Sequence, residues 1–187
     1  MNKNKSILAF SGSLRKNSYN RILLHKMIEL APNDIEMIEY DISTIPLYNE
    51  DLELENYPNS VTDFKNKIRN ASGILIVTPE YNYSIPGVLK NTLDWASRPP
   101  TDIPFIGKPG AILGTSTSMF GSVRSQLHLR QVLHALGVHV MNSPEVFVPK
   151  AKEIFETGSI IDERTLKHLK LFWESFHAFM ILLGLSV

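Results

Sequence analysis

Residues 73–95 read Gly73-Ile74-Leu75-Ile76-Val77-Thr78-Pro79-Glu80-Tyr81-Asn82-Tyr83-Ser84-Ile85-Pro86-Gly87-Val88-Leu89-Lys90-Asn91-Thr92-Leu93-Asp94-Trp95. The opening run, Gly73–Thr78, is apolar without alternation, the pattern of a strand buried on both faces. It delivers the chain into an aromatic, amide-rich turn. A helix follows, begun by Pro86 in its first turn, where the missing N–H costs nothing. Such a strand–turn–helix builds the carboxyl edge of a sheet, and in open α/β sheets ligands sit at that edge. The turn offers flat aromatic faces, backbone N–H groups and the Asn82 amide. That set suits a planar heteroaromatic ligand better than a sugar or a metal.

Outward from this stretch, strand-like and helix-like runs alternate. Strands are expected at Ser6–Gly12, Ile35–Asp41, Gly73–Thr78 and Pro109–Thr115. A last strand is built from Val138–Val140 and Val146–Val148, interrupted at Pro144. Helices are expected at Tyr19–Leu30, Val61–Asn70, Pro86–Ala96, Val123–Leu136 (ended by Gly137) and Asp162–Leu183. Five short buried strands separated by helices imply an α/β fold: a doubly wound parallel sheet with right-handed crossovers and helices on both faces. The span from Ser43 to Ser60 shows no regular pattern. It is acidic at Glu50, Asp51, Glu53 and Glu55 yet carries Ile45, Leu47, Tyr48, Leu52, Leu54 and Tyr57, so it is expected to be ordered, near the site or at a subunit contact.

The 187 residues are expected to form one domain, 1–187. Lys plus Arg and Asp plus Glu are 19 each, which lacks the basic excess of a nucleic-acid binder. There is no cysteine, which excludes disulfides, Cys-based metal sites and a thiol nucleophile and fits a reducing cytoplasm. His128, His134 and His139 share no helical face, so no metal site is expected. The start, Met1-Asn2-Lys3-Asn4-Lys5, carries no signal-type apolar stretch. The apolar end, Phe179–Leu185, is shorter than the ~20 residues a membrane helix needs. It continues a face of Leu166, Leu169, Phe172, Trp173, Phe176, Phe179, Met180 and Leu183 that packs on a core. A cytoplasmic protein without membrane or nucleic-acid partners is expected.

After the first strand comes Ser11-Gly12-Ser13-Leu14-Arg15-Lys16-Asn17-Ser18-Tyr19-Asn20-Arg21. It lies between a strand and a helix N-terminus, where free N–H groups and the helix dipole attract an anion. Hydroxyls at Ser11, Ser13 and Ser18, the Asn20 amide and the Arg15 guanidinium fit a phosphate monoester; the plainer reading is a Ser-capped helix after a polar turn. A Walker loop would need Gly-Lys-Ser/Thr, a dinucleotide fingerprint three glycines and a Cys phosphatase a cysteine, and none is present. What survives is a loop that binds phosphate and does no chemistry on it.

These two segments resemble the NADPH-dependent FMN reductase family, which includes azo-dye, quinone and chromate reductases. Gly12-Ser13-Leu14-Arg15 with Ser18 and Asn20 matches one family motif. Pro79 through Trp95 matches the Pro-Glu-Tyr-Asn, Ser-x-Pro-Gly, Leu-Lys-Asn and Asp-Trp elements of another. Pro46-Leu47-Tyr48-Asn49 with Asp51-Leu52, Leu129-Arg130-Gln131 and Leu136-Gly137 extend the likeness over nearly the whole chain. The resemblance implies a flavodoxin-like fold, strand order 2-1-3-4-5, with bound FMN across the strand ends and NADPH or NADH as co-substrate. Ser11, Ser13, Arg15, Ser18 and Asn20 would hold the phosphate. Pro79, Glu80, Tyr81 and Asn82 would line the isoalloxazine, and Thr115 and Ser116 would approach its pyrimidine side. The loop Gly114-Thr115-Ser116-Thr117-Ser118-Met119-Phe120-Gly121-Ser122 departs from the glycine-rich version common in the family, so Met119 and Phe120 are expected to reshape the substrate face.

The implied activity is hydride transfer from NAD(P)H through FMN to a small acceptor: a quinone, an azo compound, a free flavin or chromate. No side-chain base is required, so no catalytic residue is expected. Backbone N–H groups of the 80–83 and 115–117 turns would meet charge on the reduced flavin. The resemblance also implies a homodimer, or a tetramer, through the helix beginning at Pro86. Duller readings stand beside these. Tyr81 and Tyr83 pack as turn aromatics, Trp95 and Leu89 are core or subunit contact, and Lys90 and Asp94 pair four residues apart on the surface. Two other classes compete. An electron-carrying flavodoxin is usually strongly acidic, which this chain is not, and a flavin-less scaffold would not need the donors at 11–20.

Overall fold

The computed structural model describes residues 5–155 and 162–184. The Met1–Asn4 start and Leu185 of the apolar C-terminal run lie outside them. The elements in order are β1 (Lys5–Ser11), α1 (Tyr19–Glu29), β2 (Ile35–Glu39), α2 (Glu50–Glu55), α3 (Asn59–Asn70), β3 (Gly73–Val77), α4 (Gly87–Ala96), β4 (Pro109–Thr115), α5 (Val123–Ala135), β5 (His139–Val140), β6 (Val146–Val148), α6 (Ala151–Ile154) and α7 (Glu163–Leu182).

All strand pairs are parallel, in the order β2-β1-β3-β4-β5, with β6 also pairing β4. This is the flavodoxin-like order, in which the connections reverse direction beside β1 and open a crevice at the carboxyl ends of β1 and β3. The expected fifth strand is two. β5 pairs Pro109 and Gly110, β6 pairs Leu113 to Thr115, and the chain between them leaves the ladder around Pro144, which has no N–H to donate.

Side-chain alternation divides the core by sheet face. Ile7, Ala9, Leu75, Val77, Ala111 and Leu113 face α1 and α7, meeting Leu23, Met27, Leu169, Phe172, Trp173 and Phe176. Leu8, Phe10, Ile74, Ile76 and Ile112 face α3, α4 and α5, meeting Phe64, Ile68, Leu89, Leu93, Trp95, Leu129 and Leu133. Leu169, Phe172, Trp173, Phe176 and Met180 of the expected α7 face are buried, whereas Leu183 is left exposed at the helix end.

The 43–60 span is more regular than its pattern suggests. It holds a 3₁₀ turn at Ile42–Thr44, all of α2 and the start of α3. Asn49 caps α2, its Oδ1 accepting from Asp51 N at 3.0 Å, and Glu50, Asp51 and Glu53 suit the positive end of the helix dipole. The span is fastened to α4. Asn91 accepts from Tyr48 N and donates to Pro46 O, both at 2.8 Å, and Trp95 Nε1 donates to Pro46 O at 2.9 Å. Trp95 is fully buried, with Tyr48 and Tyr57 edge-on to its ring, so it is core. Pro86 stands one residue before α4, at the cap, and Lys90 pairs with Asp94 at 2.6 Å on its surface.

Candidate functional site

Three loops meet at the carboxyl ends of β1, β3 and β4. In the first, short polar side chains shape the backbone: Ser11 Oγ accepts from Ser13 N (3.3 Å), Ser13 Oγ from Arg15 N (3.4 Å) and Ser18 Oγ from Asn20 N (3.2 Å). The three hydroxyls are buried but act here only as acceptors, so each keeps a proton to donate. The N–H groups of Leu14, Lys16, Asn17 and Tyr19 find no acceptor among the described residues. Arg15 is exposed, makes no ion pair among those residues, and lies 5.5 Å from the Tyr19 ring centroid. Free N–H groups at the head of α1, three hydroxyls and a guanidinium form a concave donor set for a dianion.

Asn20 is first of all a brace. Its Nδ2 donates to Thr115 O and its Oδ1 accepts from Thr115 N, each at 3.0 Å, so the amide fastens α1 to the end of β4. The Thr115 backbone is thereby paired, and its Oγ1 donates its proton to Val148 O at 2.8 Å. Asn20 keeps its second Nδ2 proton, and the Thr115 hydroxyl keeps only acceptor capacity.

The second loop is a two-residue hairpin. Tyr81 N donates to Ser84 O and Ser84 N to Tyr81 O, both at 3.0 Å. Asn82 and Tyr83 both have left-handed backbone, φ 49° and 65°, as a type I′ turn requires. The Tyr81 N–H is therefore engaged, while those of Asn82 and Tyr83 have no acceptor among the described residues. Pro79 O accepts from Thr78 Oγ1 and Ser125 Oγ. The rings of Tyr81 and Tyr83 stand exposed at the turn and are not packed into the core.

The Glu80 carboxylate is committed to α5. Its Oε2 accepts from the backbone N–H of Arg124 (2.9 Å) and Ser125 (3.3 Å), and its Oε1 from Arg124 Nη1 (3.1 Å). The carboxylate thus caps α5, whose own cap residue, Ser122, makes no capping bond to a helix N–H; its Oγ accepts instead from Gln126 Nε2 at 3.2 Å.

The third loop folds on its hydroxyls. Ser116 and Ser118 share a bond at 2.9 Å, Phe120 N donates to Ser118 Oγ, and Ser116 N donates to Val148 O. The Thr117 and Ser118 N–H groups have no acceptor among the described residues. Gly121 has φ +54°, and a Cβ there would lie 2.7 Å from Phe147 C, so the loop presses against β6. Met119 and Phe120 are exposed.

Between the second and third loops lies a cavity of 670 Å³ bordered by Glu80, Asn82, Tyr83, Ser116–Ser118, Phe120 and Arg124. That volume is within the range of small-molecule sites. Arg124, which the sequence reading does not single out, is central to its wall. Its partner Glu80 is 44 residues away in the chain, and no local pattern announces the pairing. Among the described residues, no group of three or more His, Cys, Asp or Glu could hold a metal ion.

Comparison with known proteins fits this geometry. The family described as NADPH-dependent FMN reductase matches residues 6–153. The chain is 48% identical over 165 residues to an NAD(P)H-dependent FMN reductase of Pseudomonas aeruginosa, covering 88% of this chain and 89% of that one. It is 44% identical over 170 residues to a 2-hydroxy-1,4-benzoquinone reductase of a Burkholderia species, covering 90% and 92%. The solved structure of FerB, a flavoenzyme NAD(P)H:(acceptor) oxidoreductase from Paracoccus denitrificans, superposes with TM-score 0.88 at 36% identity, covering 95% and 97%.

Proposed function

The chain belongs to the NADPH-dependent FMN reductase family, and from that membership we propose how its own residues carry out FMN-dependent oxidation of NAD(P)H by a quinone-type acceptor. The observation that carries the assignment is the donor set at 11–19. The residues present fit the 5′-phosphate of FMN: Ser11, Ser13 and Ser18 donate hydroxyl protons, the free N–H groups of Leu14, Lys16, Asn17 and Tyr19 meet the oxygens, and Arg15 supplies positive charge. Asn20 holds α1 in place through Thr115 and has one Nδ2 proton left to offer the phosphate.

Pro79, Glu80, Tyr81 and Asn82 present the hairpin edge to the flavin ring, with the free N–H groups of Asn82 and Tyr83 as donors. Thr117 and Ser118 offer two more from the opposite side, in place of the engaged Thr115, while Ser116 contributes its hydroxyl. Donors fixed before the reaction can stabilise negative charge on the ring without reorganising. Bound there, FMN supplies the two-electron chemistry, so that NAD(P)H, one proton and a quinone give NAD(P)⁺ and the hydroquinone. An azo compound, a free flavin or chromate would draw on the same chemistry.

The electron-carrier alternative is disfavoured by the balanced charge and by 48% identity to a reductase. The subunit arrangement we favour is a homodimer, alone or paired into a tetramer, through the α4 side. There Leu47 and Leu54, on the span fastened to α4, are 82% and 78% exposed. Light scattering that returns a monomer would reject it. No helix among the described residues is long and apolar enough to cross a membrane, and we place the enzyme in the cytoplasm.

The deciding experiment is the visible spectrum of the FMN-loaded protein, before and after NADPH is added without oxygen. Flavin bands that bleach, and return on addition of a quinone, support the reductase. Bands that persist point to an electron carrier, and failure to retain FMN removes the assignment of the 11–19 loop.

A further inference from the structure

We propose that Arg124, with Tyr83 and Phe120, selects planar aromatic anions, such as an ionised hydroxyquinone, as acceptors over neutral molecules of the same shape. The inference rests on the flavin-reductase reading and names the substrate class of that site.

Arg124 is the second residue of α5, and its side chain is 37% exposed at the cavity wall. Glu80, only 12% exposed, anchors the guanidinium from behind through one of its five N–H donors. The guanidinium carbon lies 4.2 Å from the centroid of Tyr83 and 4.7 Å from that of Phe120. A planar cation anchored at one edge and stacked on rings presents its remaining N–H edge in a fixed orientation, which suits the two-oxygen edge of a carboxylate or enolate.

Glu80 offsets part of that charge, but its oxygens also accept from two backbone N–H groups at the start of α5, so the positive end of the helix dipole adds to the guanidinium at the cavity wall. Of the residues bordering the cavity, only Glu80 and Arg124 are charged. An anchoring role alone would require Glu80 and nothing more. Instead Tyr83 and Phe120 stand 67% and 55% exposed, Tyr83 on left-handed backbone. Exposed rings held this way form apolar walls around a cation, a combination that recognises aromatic anions.

The test uses two non-reducible probes of one shape, 2-naphthoate and 2-naphthamide, titrated calorimetrically into the FMN-loaded protein. Wild type is expected to bind naphthoate about ten-fold or more tighter than naphthamide, as a charge-assisted contact implies. Arg124→Gln should bring the two within about two-fold, and Arg124→Lys should restore part of the preference. Equal affinities in wild type, no binding of naphthoate, or a preference unchanged in Arg124→Gln would overturn the proposal. So would a variant in which only FMN affinity or the flavin potential moves, because the guanidinium would then serve the cofactor. Should Arg124→Gln lose FMN, wild type decides: naphthoate binding must weaken as salt is raised, and insensitivity to salt rejects the proposal. Failure of the reductase reading shows separately, as flavin bands that NADPH leaves unbleached.

Discussion

The side-chain amide of Asn20 pairs with both backbone groups of Thr115, donating to its carbonyl and accepting from its N–H at 3.0 Å each. An amide used this way imitates a neighbouring strand. It completes the edge of β4 where the ladder ends and holds the head of α1, with its free N–H groups, against the sheet.

Asn20→Ala would leave a buried N–H and a buried C=O without partners, since Thr115 is 1% exposed. The expected cost is about 2 kcal/mol or more in urea unfolding. FMN affinity should fall as well, because the phosphate loop loses its brace. A variant as stable as wild type would show that water replaces the amide.

Arg15 contributes through charge. Arg15→Ala should leave stability nearly unchanged, because the side chain is exposed and makes no ion pair among the described residues. A charge-assisted bond of about 1.5–3 kcal/mol predicts a Kd for FMN raised roughly ten-fold or more. Adding Ser13→Ala should weaken it further. Flavin retained in full by the double variant would remove the 11–19 loop from the site.

Glu80 acts on α5. Glu80→Ala removes the acceptor for Arg124 N and Ser125 N and should cost about 1 kcal/mol, the worth of a helix cap. Glu80→Gln keeps an acceptor oxygen and should cost less. A penalty equal in both variants would mean that the charge, rather than the cap, matters.

Gly114 has no room for a side chain. A Cβ would lie 2.1 Å from Thr78 O and 2.3 Å from Ser122 Oγ. Gly114→Ala must push β4 away from the end of β3, at an expected cost of about 3 kcal/mol or more. Wild-type behaviour in urea would show that the strands slide apart freely.

Acid should weaken the fold through identified carboxylates. Hydrogen bonds from Ser43 hold Asp41 below the ordinary 3.8, those from Arg69 and then Lys65 hold Asp102 below it, and those from Thr165 do so for Asp162. A carboxyl depressed in the folded state takes up protons more readily when unfolded. Its stabilisation is therefore present above the unfolded value and is lost as pH falls through the folded one. The urea midpoint should decline below about pH 4, and less steeply in Asp102→Asn. An acid limb of equal slope in the variant would deny Asp102 its share.

The succession of elements is legible in the sequence because periodicity is local: Gly73–Val77 is apolar at every position, and Ser18 caps the helix it precedes. The donor-rich loop after β1 is legible for the same reason, as its donors are contiguous from Ser11 to Tyr19. Helix α2 was hidden, since Glu50–Glu55 buries no residue and so shows no amphipathic stripe. The roles of Asn20, Glu80 and Thr115 could not be read either. Each carries polar atoms that satisfy a phosphate, a ring or a backbone group equally well, and the choice falls to whichever partner the fold brings within about 3 Å. For Asn20 that partner is 95 residues along the chain, and for Glu80 it is 44. The sequence by itself determined most of the strands and helices, their order, and the run of donors from Ser11 to Tyr19. Only the tertiary structure decided which polar side chains brace the loops and which donors stay uncommitted, because burial makes an unpaired polar group costly and a buried amide or carboxylate takes the partners that the fold brings to it.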